Sequence, residues 1–378
     1  MKFSFSLPLI GENIRSEDRN AGDNEETVRI KEKSRDIISA GVNMLLAPTE
    51  GITHERLDEI SRDDEFADLC SSITEMTAEL AGDKAEVGGL IAPSGIEQYT
   101  GGIFESLYFD YLEKITVLKD SGADFILLNN AGTLGEMRAA VFAAETAEIP
   151  IFITMDVDED GKNVTGTDYI ASLITLQSLG AAAFGISCSE GTEIQAKLLS
   201  AAFAHAEIPL VAVGALSCCS KEELTMLSES GAAIFFNNAG SLDSDTVSFV
   251  KKLSVRYDAS EEKDSYAAAV DREAFFLFDD LVLSEPLTCS YRLADDIIDM
   301  DDENINSVYV ELYSTDDAAI LADNASMTRL PITVHSNDAV TLEAALRYFQ
   351  GRLIVDTRCD ISEEQMQQFS EKYGAILY

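Results

Sequence analysis

One stretch near the middle of the chain shows the alternation that decides the fold. Residues 122–155 read GADFILLNNAGTLGEMRAAVFAAETAEIPIFITM. The apolar segments Phe125–Leu128 and Ile151–Met155 have the length of buried strands, and the segment between them has the length and apolar content of a helix. Apolar strands that alternate with amphipathic helices are typical of a parallel sheet with both faces covered.

The same strand-and-helix unit recurs over about the first 250 residues, which is the usual size of a (β/α)8 barrel. The predicted strands are Lys2–Leu9, Met44–Ala47, Glu86–Ala92, Phe125–Leu128, Ile151–Met155, Ala183–Ser187, Leu210–Gly214 and Ala233–Phe236. Eight units favour a closed α/β TIM barrel over an open doubly wound sheet, and no glycine-rich dinucleotide motif follows the first strand. We predict the barrel over residues 1–260, an acidic connector over 261–300 and a smaller α/β domain over 301–378.

The charge of the chain limits its partners. It has 68 acidic and 27 basic residues, a net charge of −41. Such a surface repels phosphate backbones and anionic lipid headgroups, so we expect no nucleic-acid and no membrane partner. No apolar run approaches the roughly 20 residues that cross a bilayer, and we see no signal segment. The six scattered cysteines indicate reduced thiols, so we expect an acidic cytoplasmic protein.

Two nearly identical segments close the fourth and the eighth predicted strands. They are Leu127–Leu134, LLNNAGTL, and Phe235–Leu242, FFNNAGSL. In a barrel both lie at the C-terminal mouth, where active sites are built. An asparagine side chain has two donors and an acceptor without charge, which suits an amide, a hydroxyl or a carboxylate. The candidate substrate-binding residues are therefore Asn129, Asn130, Asn237 and Asn238. In the alternative interpretation, each segment only makes a turn and starts a helix.

Several motifs stand in the order and at the spacing of a known family. They are Ala40–Asn43, Ala47–Thr49, Val87–Gly95, Gly122–Leu128, Glu136–Glu145, Ile149–Met155, Val164–Thr167 and Gly185–Gly191. This collinear set resembles the homocysteine-binding barrel of the homocysteine S-methyltransferases, especially that of the cobalamin-dependent methionine synthases. The resemblance covers roughly residues 35–255. It implies a methyltransferase that acts on a thiol.

The C-terminal segment extends this resemblance. The segments Pro331–Asn337, Leu342–Leu346, Gln350–Val355 and Glu371–Leu377 are similar to the first part of the pterin-binding barrel of the methionine synthases. The segment has only about four predicted strands, so we expect a truncated domain. Such a domain must cover its open sheet edge by forming a homodimer or by docking on the barrel. His335 stands where the pterin domain has an aspartate, so folate or a corrinoid is expected only through a partner.

The resemblance also implies a zinc site, and the chain departs from it. In the family, three cysteines hold zinc, which binds the homocysteine sulfur as a thiolate. Cys188 matches the first of these cysteines. The adjacent pair falls on Asn237 and Asn238, and the glutamate that helps to hold the homocysteine amino group falls on Asn129. The loop after the first strand is replaced by residues 8–12. We therefore expect the usual homocysteine site to be broken.

A relocated zinc site is one alternative. Cys218 and Cys219 follow the seventh predicted strand, which neighbours the sixth strand in a barrel. With Cys188 they would supply three thiolates to zinc. The same segment is also typical of a helix start capped by Ser220, in which the cysteines are merely small side chains.

Three functions of different classes remain from the sequence. The first is methyl transfer to a thiol, with zinc at the relocated site and a corrinoid protein as partner. The second is a diverged, metal-free barrel that binds a polar small molecule through the four asparagines. The third is a non-catalytic partner in a corrinoid- and folate-dependent methyl-transfer system, which acts through the C-terminal domain. No catalytic residue is identified.

Overall fold

The structure of the chain is a computed structural model, which describes residues 9–13, 32, 35, 38–59, 61–96, 98–238, 242–255, 267–277, 280–300 and 304–378.

Eight parallel strands form a closed barrel, which confirms the predicted fold class. They are β1 (Leu9–Asn13), β2 (Met44–Ala47), β3 (Glu86–Ile91), β4 (Phe125–Leu128), β5 (Ile151–Val157), β6 (Ala183–Cys188), β7 (Leu210–Gly214) and β8 (Ala232–Asn237). Each strand pairs with the next, and β1 pairs with β8 to close the ring. The first predicted strand, Lys2–Leu9, lies outside the described residues except at Leu9, where β1 begins.

Helices follow the strands and cover the barrel. They are α1 (His54–Asp58), α2 (Phe66–Ala81), α3 (Phe104–Asp120), α4 (Leu134–Thr146), α5 (Tyr169–Ser178), α6 (Thr192–Phe203), α7 (Lys221–Glu229) and α8 (Ser244–Val250). Five of them begin where a side-chain oxygen accepts a hydrogen bond from a backbone N–H of the first turn. These N-cap residues are Thr53, Thr133, Asp168, Ser220 and Asp243. No helix in these ranges is both long and apolar enough to cross a membrane.

The barrel separates two apolar cores. The inner core fills the barrel and is formed by Met44, Leu46, Leu90, Phe125, Leu127, Phe152, Ala183, Val211, Val213, Ala233, Ile234 and Phe236. The outer core lies between the strands and the helices and continues into the C-terminal domain. Successive strand residues point to opposite faces of the sheet. A strand residue of the inner core therefore points into the barrel, and one of the outer core points towards the helices.

The C-terminal domain contains two sheets. Its strands are β9 (Ala267–Val270), β10 (Glu273–Phe276), β11 (Leu287–Thr288), β12 (Val308–Glu311), β13 (Ile332–His335), β14 (Gly351–Arg352), β15 (Ile354–Val355) and β16 (Ile376–Leu377). Its helices are α9 (Leu293–Met300), α10 (Thr315–Asp323), α11 (Ala339–Tyr348) and α12 (Glu363–Tyr373). One sheet has the order β10-β9-β14, and the parallel sheet has the order β11-β12-β13-β15-β16. Residues 267–300, which the sequence pattern assigned to the connector, thus contribute three strands and α9.

The C-terminal domain docks on the side of the barrel. Every residue of α4 from Leu134 to Ala144 is buried. This is unusual, because a helix on the outside of a barrel ordinarily has one face open to water. Arg138 of α4 is fully buried and donates from Nη1 to the carbonyl oxygen of Gly351 and from Nη2 to that of Leu346. Tyr99 donates to the carbonyl oxygen of Tyr348 at 2.7 Å. The outer face of α4 is therefore an interface between the two domains.

The hairpin turn between β9 and β10 supports a pH-dependent prediction. Asp271 lies in this turn and is only 8% exposed, and its Oδ1 accepts no hydrogen bond from any residue in the described ranges. Burial raises its pKa to about 6, although Arg272 opposes the shift. Because folding favours the protonated form, the stability contribution of Asp271 is greatest below its unfolded pKa and is lost as the pH rises through about 6.

We expect Asp271→Asn to raise the free energy of unfolding at pH 8 by about 2 kcal/mol, because a shift of one pKa unit corresponds to about 1.4 kcal/mol. At pH 4 to 5, where the folded carboxyl is already neutral, we expect little change. Urea unfolding at both pH values measures the difference. The exposed Asp83→Asn is the control, and an equal effect of Asp271→Asn at both pH values would contradict the prediction.

Candidate functional site

Polar side chains continue the inner face of the barrel at its C-terminal mouth. Phe125 and Leu127 of β4 and Phe152 of β5 belong to the inner core. Continued in steps of two residues, this alternation directs further side chains inward where the strands end. Those side chains are Asn129 after β4, Asp156 in β5, Ser187 in β6 and Asn238 after β8. We call these four residues the inner ring.

Hydrogen bonds join the inner ring across neighbouring strands. Ser187 Oγ donates to Asp156 Oδ1 at 2.9 Å. Thr154 Oγ1 donates to Asn129 Oδ1 at 3.1 Å and accepts from the backbone N–H of Asn130 at 3.1 Å. Asp156 is exposed, whereas Asn129 and Ser187 are half-buried. The ring is thus fixed by its own contacts on one side and open to a ligand on the other.

The two Asn-Asn segments do not have equivalent positions. Asn130 has a φ of 59°, which asparagine tolerates better than most residues, and its Oδ1 accepts from Asp156 N at 2.9 Å. Asn237 is the last residue of β8 and is buried on the side opposite to Phe236. Asn129 and Asn238 are the two that point inward. Substrate binding by the four asparagines stays a prediction. Of the four, only Asn129 and Asn238 have side chains directed to the barrel interior.

The three cysteines predicted for a relocated zinc site do not line the inner ring. Cys188 ends β6 and packs against the outer core, so it points away from the barrel interior. Cys219 also packs against the outer core, and Cys218 is exposed. In the described ranges, no three histidine, cysteine, aspartate or glutamate side chains are placed to hold a metal ion.

Two of these thiols are weaker acids than a free cysteine. Burial raises the pKa of Cys188, and the nearby carboxylates of Glu190 and Asp156 raise it further. Burial raises the pKa of Cys219 as well, and Glu223 acts in the same direction. Because the three cysteines do not converge on one point in the described ranges, they do not fit the zinc that the family resemblance implies, and we derive no reaction step through it. Zinc binding by the cysteines stays a prediction.

The segment that contains Cys218 and Cys219 is a helix start, as the second interpretation of the sequence predicted. Ser220 caps α7 in a reciprocal capping box with Glu223. Cys219 lines a groove of about 400 Å³ between the starts of α7 and α8, together with Lys221 and Asp243. The carboxylates of Glu223 and Asp243 already satisfy N–H groups at these two helix starts, so the groove is a poor site for an anion.

Sequence reasoning missed three residues of the mouth, namely Thr154, Asp156 and Ser187. A signal for the first two is present in Ile151–Val157, IFITMDV, where the polar residues occupy alternate positions in an otherwise apolar strand. Polar residues on one face of a buried strand, near its carboxyl end, indicate a site at the barrel mouth. The bond from Ser187 to Asp156 could not be predicted, because it depends on the register between β5 and β6.

Comparisons with known proteins agree with this fold. The family model described as homocysteine S-methyltransferase matches residues 10–262. The methionine synthases of Mycobacterium leprae and Mycobacterium tuberculosis are each 25% identical over 189 residues, which is 47% of this chain and 16% of theirs. The match thus spans about a sixth of those relatives' length.

Solved structures show the same architecture. The metallated form of the homocysteine methyltransferase MmuM from Escherichia coli has a TM-score of 0.54 and 15% identity, and the match covers 65% of this chain and 95% of that one. Its oxidized form gives a TM-score of 0.53, 16% identity and the same coverage of both chains. At this level of identity the likeness shows the fold alone.

Proposed function

Because this chain belongs to the homocysteine S-methyltransferase family, we propose that the mouth of its barrel binds a small amino acid through the inner ring. The observation that carries the proposal is the pair Ser187–Asp156, which points inward and is held at 2.9 Å. Active sites of (β/α)8 barrels are built at this mouth. The proposed ligand is thus a small polar molecule, as in the second of the functions that the sequence left open.

The inner ring offers complementary groups to such a ligand. The Oδ1 of Asn129 is used by Thr154, and its Nδ2 donates no hydrogen bond within the described residues, so this amide N–H is free to donate to a carboxylate of the ligand. The carboxylate oxygens of Asp156 are suited to accept a hydrogen bond from a hydroxyl, thiol or amino group of the ligand. Hydrogen bonds to charged groups contribute about 1.5–3 kcal/mol, so Asp156 is expected to contribute most.

Methyl transfer to a homocysteine-like thiol is the second candidate, and family membership is the observation that favours it. The metal-binding cysteines that this reaction implies do not converge in the structure, as described above. Only this candidate function would require a corrinoid protein as partner. All six cysteines are free thiols, which suits the reducing cytoplasm that we propose as the location.

The test compares binding of L-homocysteine and L-serine to the full chain and to Asp156→Asn by isothermal titration calorimetry. We expect at least one of the two amino acids to bind the wild type. We expect Asp156→Asn to bind it about tenfold more weakly, because the variant keeps the shape but removes the charge. Asp160→Asn, at an exposed neighbouring carboxylate, is the matched control. Absence of binding to the wild type, or equal binding by both variants, would contradict the proposal.

Zinc analysis of the same preparations separates the two candidates. We expect well below one zinc per chain. One equivalent of zinc that is lost in Cys219→Ser would favour thiol methyl transfer at a relocated site over the metal-free mouth.

A further inference from the structure

The loop after β5, residues 158–168, follows the strand that carries the carboxylate of the inner ring. It folds as a tight antiparallel turn, in which Asp158 N donates to the carbonyl oxygen of Lys162 at 2.9 Å and Lys162 pairs with Asp168. The centre of this loop contains Asn163, which is only 9% exposed. Asparagine is mostly an exposed residue, and a buried polar side chain ordinarily has hydrogen-bond partners. The partners of Asn163 therefore show what the loop holds in place.

The amide of Asn163 has two kinds of partner. Its Oδ1 accepts from Thr165 N at 3.1 Å, from Thr165 Oγ1 at 2.8 Å and from Thr167 N at 3.0 Å. Its Nδ2 donates to the carbonyl oxygen of Gly132 at 2.5 Å and, at 3.4 Å, to that of Ala131. Backbone N–H groups only donate and carbonyl oxygens only accept, so this orientation of the amide satisfies both sets of partners. One side chain thus shapes its own loop and also binds the loop after β4.

The segment Asn129–Gly132 begins with an inner-ring asparagine and runs beside β5, although the regular pairing of β4 with β5 ends before it. Ala131 N donates to the carbonyl oxygen of Thr154 at 2.8 Å, and Asp156 N donates to Asn130 Oδ1 at 2.9 Å. The two bonds from the loop after β5 hold the end of the segment. The inner-ring residues that follow β4 and lie in β5 are thus held relative to each other through this segment.

The other side of the loop after β5 is fixed by the C-terminal domain. Asp168 N donates to the carbonyl oxygen of Asp271 at 2.9 Å, and Lys162 Nζ donates to that of Arg272 at 3.0 Å. Both acceptors lie in the turn between β9 and β10. The loop is therefore attached on one side to this turn and on the other side, through Asn163, to the loop after β4. Because it is fixed in this way, it can hold the neighbouring segment in place.

We propose that Asn163 is a positioning residue, which holds Asn129 and Asp156 of the inner ring in the arrangement that binds a ligand. Asn163 acts through these two residues and not on the ligand, since its amide is already used by its own loop and by two carbonyl oxygens. Loss of this contact lowers the fraction of molecules with a binding-competent mouth, and the apparent dissociation constant rises as that fraction falls. That the ligand is a small amino acid rests on the proposed function, whereas the holding of the segment does not.

Asn163→Asp separates the two roles of the side chain. The variant has the same shape and keeps an acceptor for Thr165 and Thr167, but an oxygen replaces the Nδ2 donor and faces the two carbonyl oxygens. We expect it to bind the amino acid that binds the wild type about tenfold more weakly, which corresponds to about 1.4 kcal/mol. Isothermal titration calorimetry of the full chain with L-homocysteine and with L-serine measures the change.

Two variants are controls for this measurement. Val164→Ala changes a fully exposed neighbour in the same loop and should bind as the wild type does. Ile297→Val removes a methyl group from a buried position in α9 of the C-terminal domain, so it lowers the stability of the fold without a change at the mouth. We expect it to bind as the wild type does, which would show that a loss of stability does not by itself weaken binding.

Amide hydrogen exchange of Asn129–Ala131 is a second measurement, and it needs no ligand. The N–H groups of these three residues donate to the carbonyl oxygen of Ile91 and to two oxygens of Thr154. They therefore exchange when the segment opens. We expect exchange to be about tenfold faster in Asn163→Asp than in the wild type, and unchanged in Val164→Ala.

The two measurements distinguish failure of this proposal from failure of the proposed function. Equal binding by Asn163→Asp and the wild type, or equal exchange of Asn129–Ala131 in both, would overturn the positioning role. If the wild type binds neither amino acid, the proposed function fails and exchange decides on Asn163. Faster exchange in Asn163→Asp would then still support its role in holding the inner ring, and equal exchange would overturn that role as well.

Discussion

Gly351→Ala is expected to lower the free energy of unfolding by about 3 kcal/mol or more, since overpacking of a close contact costs about 1–3 kcal/mol even where side chains can move aside. Gly351 pairs with Val270 between β14 and β9. A Cβ atom at this position would lie 2.0 Å from the carbonyl oxygen of Ala269. This oxygen belongs to the backbone of a paired strand, so it cannot turn away as a side chain does. Glycine in a strand often marks such a close approach of another backbone.

Urea unfolding of Gly351→Ala and Gly102→Ala at neutral pH measures the effect. The control change meets no atom within 4 Å and should stay within about 0.5 kcal/mol of the wild type. Equal stability of the two variants would show that β9 and β14 separate without loss, and that the three-stranded sheet contributes little to the fold.

Arg138→Ala is expected to cost about 3 kcal/mol of unfolding free energy. The change leaves a cavity in the domain interface and removes the donors to the carbonyl oxygens of Leu346 and Gly351. A buried cavity costs about 2–5 kcal/mol and each unsatisfied carbonyl about 1–3 kcal/mol. Against this stands the cost of burying the guanidinium, because burial lowers the pKa of Arg138 to about 10. That shift corresponds to about 3 kcal/mol, which the loss of contacts exceeds.

The measurement is again urea unfolding, with Arg62→Ala as the control. Arg62 pairs with Glu65 on the surface, where an ion pair contributes at most about 1 kcal/mol. Arg138→Lys should fall between the two, since one ammonium group cannot reproduce both guanidinium bonds. An Arg138→Ala variant as stable as Arg62→Ala would mean that the cost of burying the charge offsets everything that the guanidinium contacts contribute.

The barrel could be predicted from the sequence because its strands have a strong local signal. Segments such as Phe125–Leu128 are apolar throughout, and this pattern is typical of strands that are buried on both faces. The docking of the C-terminal domain has no such local signal. Arg138 looks like an ordinary surface residue of a barrel helix, and its burial depends on carbonyl groups more than 200 positions away. Contacts between segments that are distant in the sequence therefore could not be predicted.

The candidate site was predicted in part for the same reason. The duplicated Asn-Asn segments drew attention to the end of the barrel at which the inner ring lies, but a repeat in sequence does not show which residue of each pair points inward. This depends on strand alternation, which places Asn129 inward and Asn237 outward. Asp156 was missed because a single acidic residue in a chain with 68 of them carries no signal until its neighbours in space are known.

The burial of α4 on all sides has a consequence for the evolution of the chain. A barrel helix with one solvent-exposed face has positions that tolerate many substitutions. The segment Leu134–Ala144 has no such positions, because all of its residues are buried. The segment is therefore constrained from two directions, by the strands beneath it and by the domain above it. A descendant that lost the C-terminal domain would need a new, polar outer face on α4 before its barrel could stand alone in water. Neither domain could therefore be exchanged without changing the outer surface of this one helix.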